Sequence, residues 1–118
     1  MHDEELGNVH IADDVIASIA AIAASEVEGV HSLSTGGRAD LRSKRNIARG
    51  VKILLDEGQV TCHLFVLVKR NFPILQVSKA VQENVKSHIE SMTGLSVCSV
   101  NVHVAGVAFG RAERKAQV

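Results

Sequence analysis

Two histidines and an asparagine carry the strongest hint of chemistry in this chain. His63 lies in the run VTCHLFVLVK (60–69), and Asn101 and His103 lie in VCSVNVHV (97–104). An imidazole can ligate a metal or relay a proton, and an amide can orient a ligand. If the two runs were adjacent strands, these side chains and Thr61 would share one polar patch. Two imidazoles without a carboxylate or thiolate on the same face make a poor zinc set. Exposed sheet faces also commonly carry such residues. The sequence therefore predicts no metal, no cofactor and no catalytic residue. His2, His10, His31 and His88 show no ligand spacing. Cys62 and Cys98 lack a CxxC pattern. Both fall on apolar-facing positions of predicted strands, where reduced cysteine acts as a small buried hydrophobe, as suits a reducing cytoplasm.

The motif search agrees. GxGxxG, a GK[ST] phosphate loop and HExxH are all missing, as are GxSxG and the GxxG of one RNA-binding module. Charge is distributed unevenly although the formal net charge is zero. Residues 1–28 hold Asp3, Glu4, Glu5, Asp13, Asp14, Glu26 and Glu28 and no Lys or Arg. The stretch GGRADLRSKRNIARG (36–50) holds Arg38, Arg42, Lys44, Arg45 and Arg49 against Asp40 alone. Those five bases are candidate contacts for phosphates of a nucleic acid or an acidic lipid. The chain has no Trp or Tyr, and Phe65, Phe72 and Phe109 form no stacking platform, which argues against nucleic acid.

These side chains need elements to position them. A length of 118 residues suits one domain, and 46% apolar residues suit a packed core. The expected division is a core over about 7–109, a mobile basic loop over 34–50 and a tail over 110–118. A first helix is predicted from Asp13 to Glu28, with Val15, Ile19, Ile22 and Ala23 at helical spacing and Gly29 as its left-handed cap. Short strands follow at 30–33 and 51–56, then a tight turn, DEGQ, and the strand 60–69. Pro73 opens a second helix, with Asn71 as a candidate cap. Its stripe is Ile74, Val77, Val81, Val85, Ile89 and Met92, and Gly94 stops it. At 1.5 Å per residue this helix is about 30 Å long, matching a strand of nine or ten residues. The strand 60–69, the helix and the strand 97–105 thus read as a βαβ unit with parallel strands. Gly106 breaks the alternation as a bulge would.

The predicted class is α+β: a two-layer sandwich with two helices on one face of a mixed three- to four-stranded sheet. The other face of 60–69 includes Phe65 and Leu67. It is too apolar to stand fully in water and calls for a cover, from chain or from another subunit. Phe65, Leu67, Asn101 and His103 are accordingly the candidate interaction surface. Residues 91–110 are uncharged, but their period of two marks a strand, and no transmembrane segment or signal peptide is predicted.

Nearly the whole chain, about 7–109, resembles the bacterial alkaline-shock and general-stress proteins, also described as envelope stress response proteins. The resemblance rests on IADDVIASIAAIAASEVEGV, on GVKI with the DEGQ turn, and on PILQVSKAVQENVKSHIESMTGLSVCSVNVHVAGV. It departs before the second helix, where a Tyr-Gly pair is frequent and this chain has Arg70-Asn71. The resemblance implies a small cytoplasmic, non-enzymatic protein linked to cell-envelope homeostasis. It also implies a place at the inner face of the cell membrane, through a membrane-anchored protein partner. Self-association is the expectation from the half-apolar face with Phe65 and Leu67 and from the split charge. The alternative carried from the residues is an anion-binding module built on 38–49.

Overall fold

A computed structural model describes residue 7 and residues 9–34 and 50–108. The described elements are α1 (Asp13–Ser25), β1 (Val30–Leu33), β2 (Val51–Asp56), β3 (Gln59–Lys69), α2 (Ile74–Thr93) and β4 (Ser96–Ala108). The fold is α+β, with both helices packed against a four-stranded mixed sheet. β3 is central. β4 runs parallel to it along one edge, from Gln59 opposite Ser96 to Lys69 opposite Ala108.

The other edge of β3 is shared. β1 pairs antiparallel with residues 66–68 and β2 with residues 59–64, so the two short strands lie end to end. The backbone of Phe65 closes the joint. Its carbonyl accepts from the Ser34 amide (2.7 Å), and its amide donates to the Gly50 carbonyl (2.9 Å). β1 and β2 thus meet end to end on one edge of β3, and Ser34 and Gly50, expected in a loop, bond to the Phe65 backbone between them. Gly50 has φ +89°, and a Cβ there would sit 2.5 Å from the Ser34 carbonyl oxygen. A side chain at this re-entry point would meet both backbone strain and a clash.

β2 and β3 are joined by the two-residue turn Glu57-Gly58, with φ of 51° and 78°. Positive φ at both positions suits the right-handed twist of a hairpin. The inner side chains of β3 (Val60, Cys62, Leu64, Val66 and Val68) are all buried. Against them pack Val77, Val81, Val85 and Ile89 of α2. Burying each such side chain contributes about 1.5–3 kcal/mol, which explains why this four-position stripe fixes the helix. The ends of the stripe are wetter than expected: Ile74 and Met92 are exposed. The N-cap position is Pro73, not Asn71, which instead takes a left-handed turn conformation at φ 74°. Gly94 caps the other end as predicted.

α1 departs further from expectation. It ends at Ser25, with Glu26 in the right-handed region, so Gly29 is not its cap. Its buried face is Ile16, Ala17, Ala20, Ala23 and Ala24, while Val15 and Ile22 are 49% and 59% exposed. The alanines face inward because small side chains let a helix approach its neighbours closely. Asn84 of α2 ties the two helices together by donating to the Ala23 carbonyl (2.7 Å). His88 does the same at the surface. Its Nδ1 donates to the Asn84 carbonyl (2.9 Å), and its Nε2 lies 3.6 Å from Glu26 Oε1.

Candidate functional site

The helices leave one face of the sheet without a described cover. Residues paired across strands share a face, so the register assigns its members. Thr61 lies beside Ser99, His63 beside Asn101, Phe65 beside His103 and Leu67 beside Gly106. On the opposite flank Lys52 lies beside His63 and Leu54 beside Thr61. All four residues of the predicted surface, Phe65, Leu67, Asn101 and His103, therefore fall on this one face.

Two interruptions of β4 make this possible. The register steps from Val97 to Ser99 against Val60 and Thr61, so Cys98 has no partner, and from Val104 to Gly106 against Val66 and Leu67, so Ala105 has none. The second is the bulge expected near Gly106. The first overturns the reading of Cys98. Plain alternation turns Cys98 inward and Val97 outward, whereas the bulge buries Val97 and leaves Cys98 exposed. Two partners from α2 hold the shifted strand: Glu90 Oε2 accepts from the Val97 amide (3.0 Å), and Gln82 Nε2 donates to the Val100 carbonyl (3.0 Å). Cys62 is buried as predicted, and burial pushes its thiol up to about 12.

The centre of the face is an aromatic row. The rings of Phe65 and His103 stack with centroids 4.7 Å apart and planes 15° apart. His63 extends the row, its ring centroid 5.6 Å from that of His103. The Nδ1 of His63 and the Nε2 of His103 stand 3.4 Å apart, within hydrogen-bonding reach, so one ring donates and the other accepts. Asn101 Nδ2 donates to Ser99 Oγ (3.5 Å) beside them. Leu67 covers Gly106, its Cδ2 lying 3.4 Å from where a Cβ would stand. Phe65 and Leu67 are half-buried and Leu54 is 54% exposed. Leu54 and Lys52 were absent from the predicted surface; a leucine on the outward phase of 51–56 was the signal available for the first.

Arg38, Arg42, Lys44, Arg45 and Arg49, the predicted anion contacts, lie outside the described residues, as does Phe109. Among the described residues no group of three or more His, Cys, Asp and Glu is placed to hold a metal ion. No helix among them is long and apolar enough to cross a membrane.

The described residues thus form an α+β sandwich with one helix-covered sheet face and one half-apolar, imidazole-bearing sheet face. The comparisons give the family. Residues 1–109 match the model of the alkaline shock protein 23 family, described as having a cell envelope-related function. The chain is 35% identical over 119 residues to the uncharacterized protein YqhY of Bacillus subtilis, covering 98% of this chain and 88% of that one. It is 34% identical over 108 residues to the uncharacterized protein Spy1535 of Streptococcus pyogenes serotype M6 (91% of this chain, 84% of that one). A second Bacillus subtilis protein, the uncharacterized YloU, is 30% identical over 106 residues, with coverages of 86% and 88%. No solved structure matches the chain. The chain belongs to the alkaline shock protein 23 family, with its cell envelope-related function.

Proposed function

We propose that this protein is a non-enzymatic interaction module of the cell envelope, working in the cytoplasm through self-association and a membrane-anchored protein partner. The observation that carries this reading is the outer face of the sheet. Leu67 and Leu54 lie beside a stacked Phe65–His103–His63 row on the side away from both helices. Apolar side chains placed there gain from being covered, at roughly 25 cal/mol per Å² removed from water. The polar groups beside them, Asn101, Ser99 and the histidines, supply register rather than bulk affinity. Attachment to the envelope through a partner suits a chain whose described helices are too short or too polar to cross a membrane.

The test is sedimentation velocity on the full chain and on the double variant Phe65→Ser, Leu67→Ser. The parent is expected to sediment as an oligomer and the variant as a folded monomer of unchanged circular dichroism. A parent that stays monomeric at tens of micromolar, with and without divalent metal, refutes the self-association. For the membrane step, purified protein is expected to bind native membranes and to lose that binding once their exposed proteins are stripped by protease. Equal binding to protein-free lipid vesicles would replace the partner with a direct lipid contact.

A further inference from the structure

We propose that His63 and His103 form half of a tetrahedral zinc-class metal site, completed by the same two residues of a second copy of the chain. The inference rests on the self-associating reading above and assigns the contact its centre.

The distance carries the argument. Two metal–nitrogen bonds of about 2.0–2.1 Å meeting at the tetrahedral angle hold their nitrogens about 3.3–3.4 Å apart. His63 Nδ1 and His103 Nε2 are 3.4 Å apart. The pair already has the spacing of one edge of a zinc tetrahedron. In the metal-free chain a single proton bridges the two nitrogens. A divalent ion takes its place once the bridging proton moves to the ring's other nitrogen, a tautomer open to any imidazole. The rings need only turn until both lone pairs converge on the ion. Phe65 limits their other freedom, because it stacks on His103 at 4.7 Å and holds that ring's plane. Such prior ordering lowers the entropic cost of ligation.

One chain supplies one edge. Among the described residues no third His, Cys, Asp or Glu joins the pair. A closed zinc site takes four ligands. A tetrahedron has a two-fold axis that exchanges opposite edges, and two-fold dimers bring the same patch of two copies together. Face-to-face pairing of two outer sheets therefore sets His63 and His103 of one chain across from the same residues of the other. Phe65 and Leu67 flank the ion on both sides. The half-buried apolar face gains its cover, and the ion gains a dry surround in the same step.

Lys52 sets a constraint. It lies beside His63 on β2 and is exposed, so its ammonium opposes a divalent ion nearby. Lys52→Ala should tighten binding.

The full chain is titrated with Zn2+ by calorimetry, and its mass is followed by sedimentation in Zn2+ and in EDTA. Co2+ reports geometry, since tetrahedral cobalt absorbs far more strongly in the visible than octahedral cobalt. The expected result is one Zn2+ per two chains, with the Zn2+-loaded protein sedimenting at twice the chain mass. The Co2+ complex should show the strong tetrahedral bands. His63→Gln and His103→Phe should each abolish the bands and the stoichiometric binding. The second keeps an aromatic ring against Phe65, so a loss there reports the missing ligand rather than a missing stack. One metal per chain, a weak octahedral spectrum, or equal Zn2+ response in His103→Phe overturns the proposal. If the parent self-associates equally in EDTA and in His63→Gln, the metal falls and the self-associating surface stands. A parent monomeric with and without Zn2+ removes both.

Discussion

Alkaline pH should weaken this fold through one thiol. Cys62 is wholly buried in the first half of β3, between Ile53 on β2 and Val100 on β4. Burial raises its pKa from 9.0 to about 12, because the thiolate has no water and no cation to replace it. The unfolded chain, whose thiol ionises at its ordinary value, therefore sheds this proton first as pH rises. The sign follows: the contribution of the protonated thiol is complete below pH 9 and is lost as pH climbs toward 12. Integrating the proton difference gives a loss of about 1 kcal/mol at pH 10 and roughly 4 kcal/mol by pH 12. The experiment is urea unfolding between pH 7.5 and 10.5, in reductant, of the parent and Cys62→Ala. The variant starts less stable because truncation leaves a small cavity, but that offset does not depend on pH. Lysines and the exposed Cys98 are common to both proteins and cancel. The parent should lose about 1 kcal/mol more than the variant on reaching pH 10. Parallel curves would refute the reasoning and mean that the thiolate finds solvent or a counter-charge inside the sheet.

The same contrast should appear in labelling. Cys98 is exposed on its bulge and should react with a maleimide within minutes at neutral pH, while Cys62 reacts only as fast as the chain unfolds; equal rates would place Cys98 back in the core. Gly50→Ala should cost about 1–3 kcal/mol in chemical denaturation, since it adds a clash with the Ser34 carbonyl to backbone strain. Gly94→Ala carries a left-handed φ but no contact within 4 Å, so it should cost less. An equally small effect at Gly50 would show that residues 34 and 50 can part without loss.

Periodicity carried the second half of the molecule. Val77, Val81, Val85 and Ile89 repeat often enough that helical spacing, the β3 alternation and their parallel pairing with β4 were all legible. α1 was harder for a physical reason. Hydrophobic weight points to Val15, Ile19 and Ile22, yet the helix buries Ile16 and alanines, because its closeness to the sheet and to α2 selects for small size. The joint between β1 and β2 was illegible because residues 35–49 separate in sequence two short strands that share one edge of β3. The candidate site was legible as a set of residues and illegible as a contact. His63 and His103 are 40 residues apart, and no local pattern sets the distance between their rings.

That distance is set by register, and register here depends on residues without partners. Without the bulge at Cys98, an unbroken ladder from the Val60–Val97 pair would place Asn101 opposite Leu64 and His103 opposite Val66, on the helix-covered face. Burying an imidazole and an amide there without partners would cost several kcal/mol. One extra residue at Cys98 turns both outward and brings His103 beside Phe65. The displaced Val97 amide then finds Glu90, and the Val100 carbonyl finds Gln82, so the bulge is bonded from α2 on both sides of Cys98. The second bulge, at Ala105, sets Gly106 under Leu67, where a side chain would press on the leucine. The outer face is thus assembled by two single-residue insertions acting on an otherwise regular strand. Its aromatic row and its histidine pair stand or fall with them, because a one-residue slip in a strand exchanges its faces.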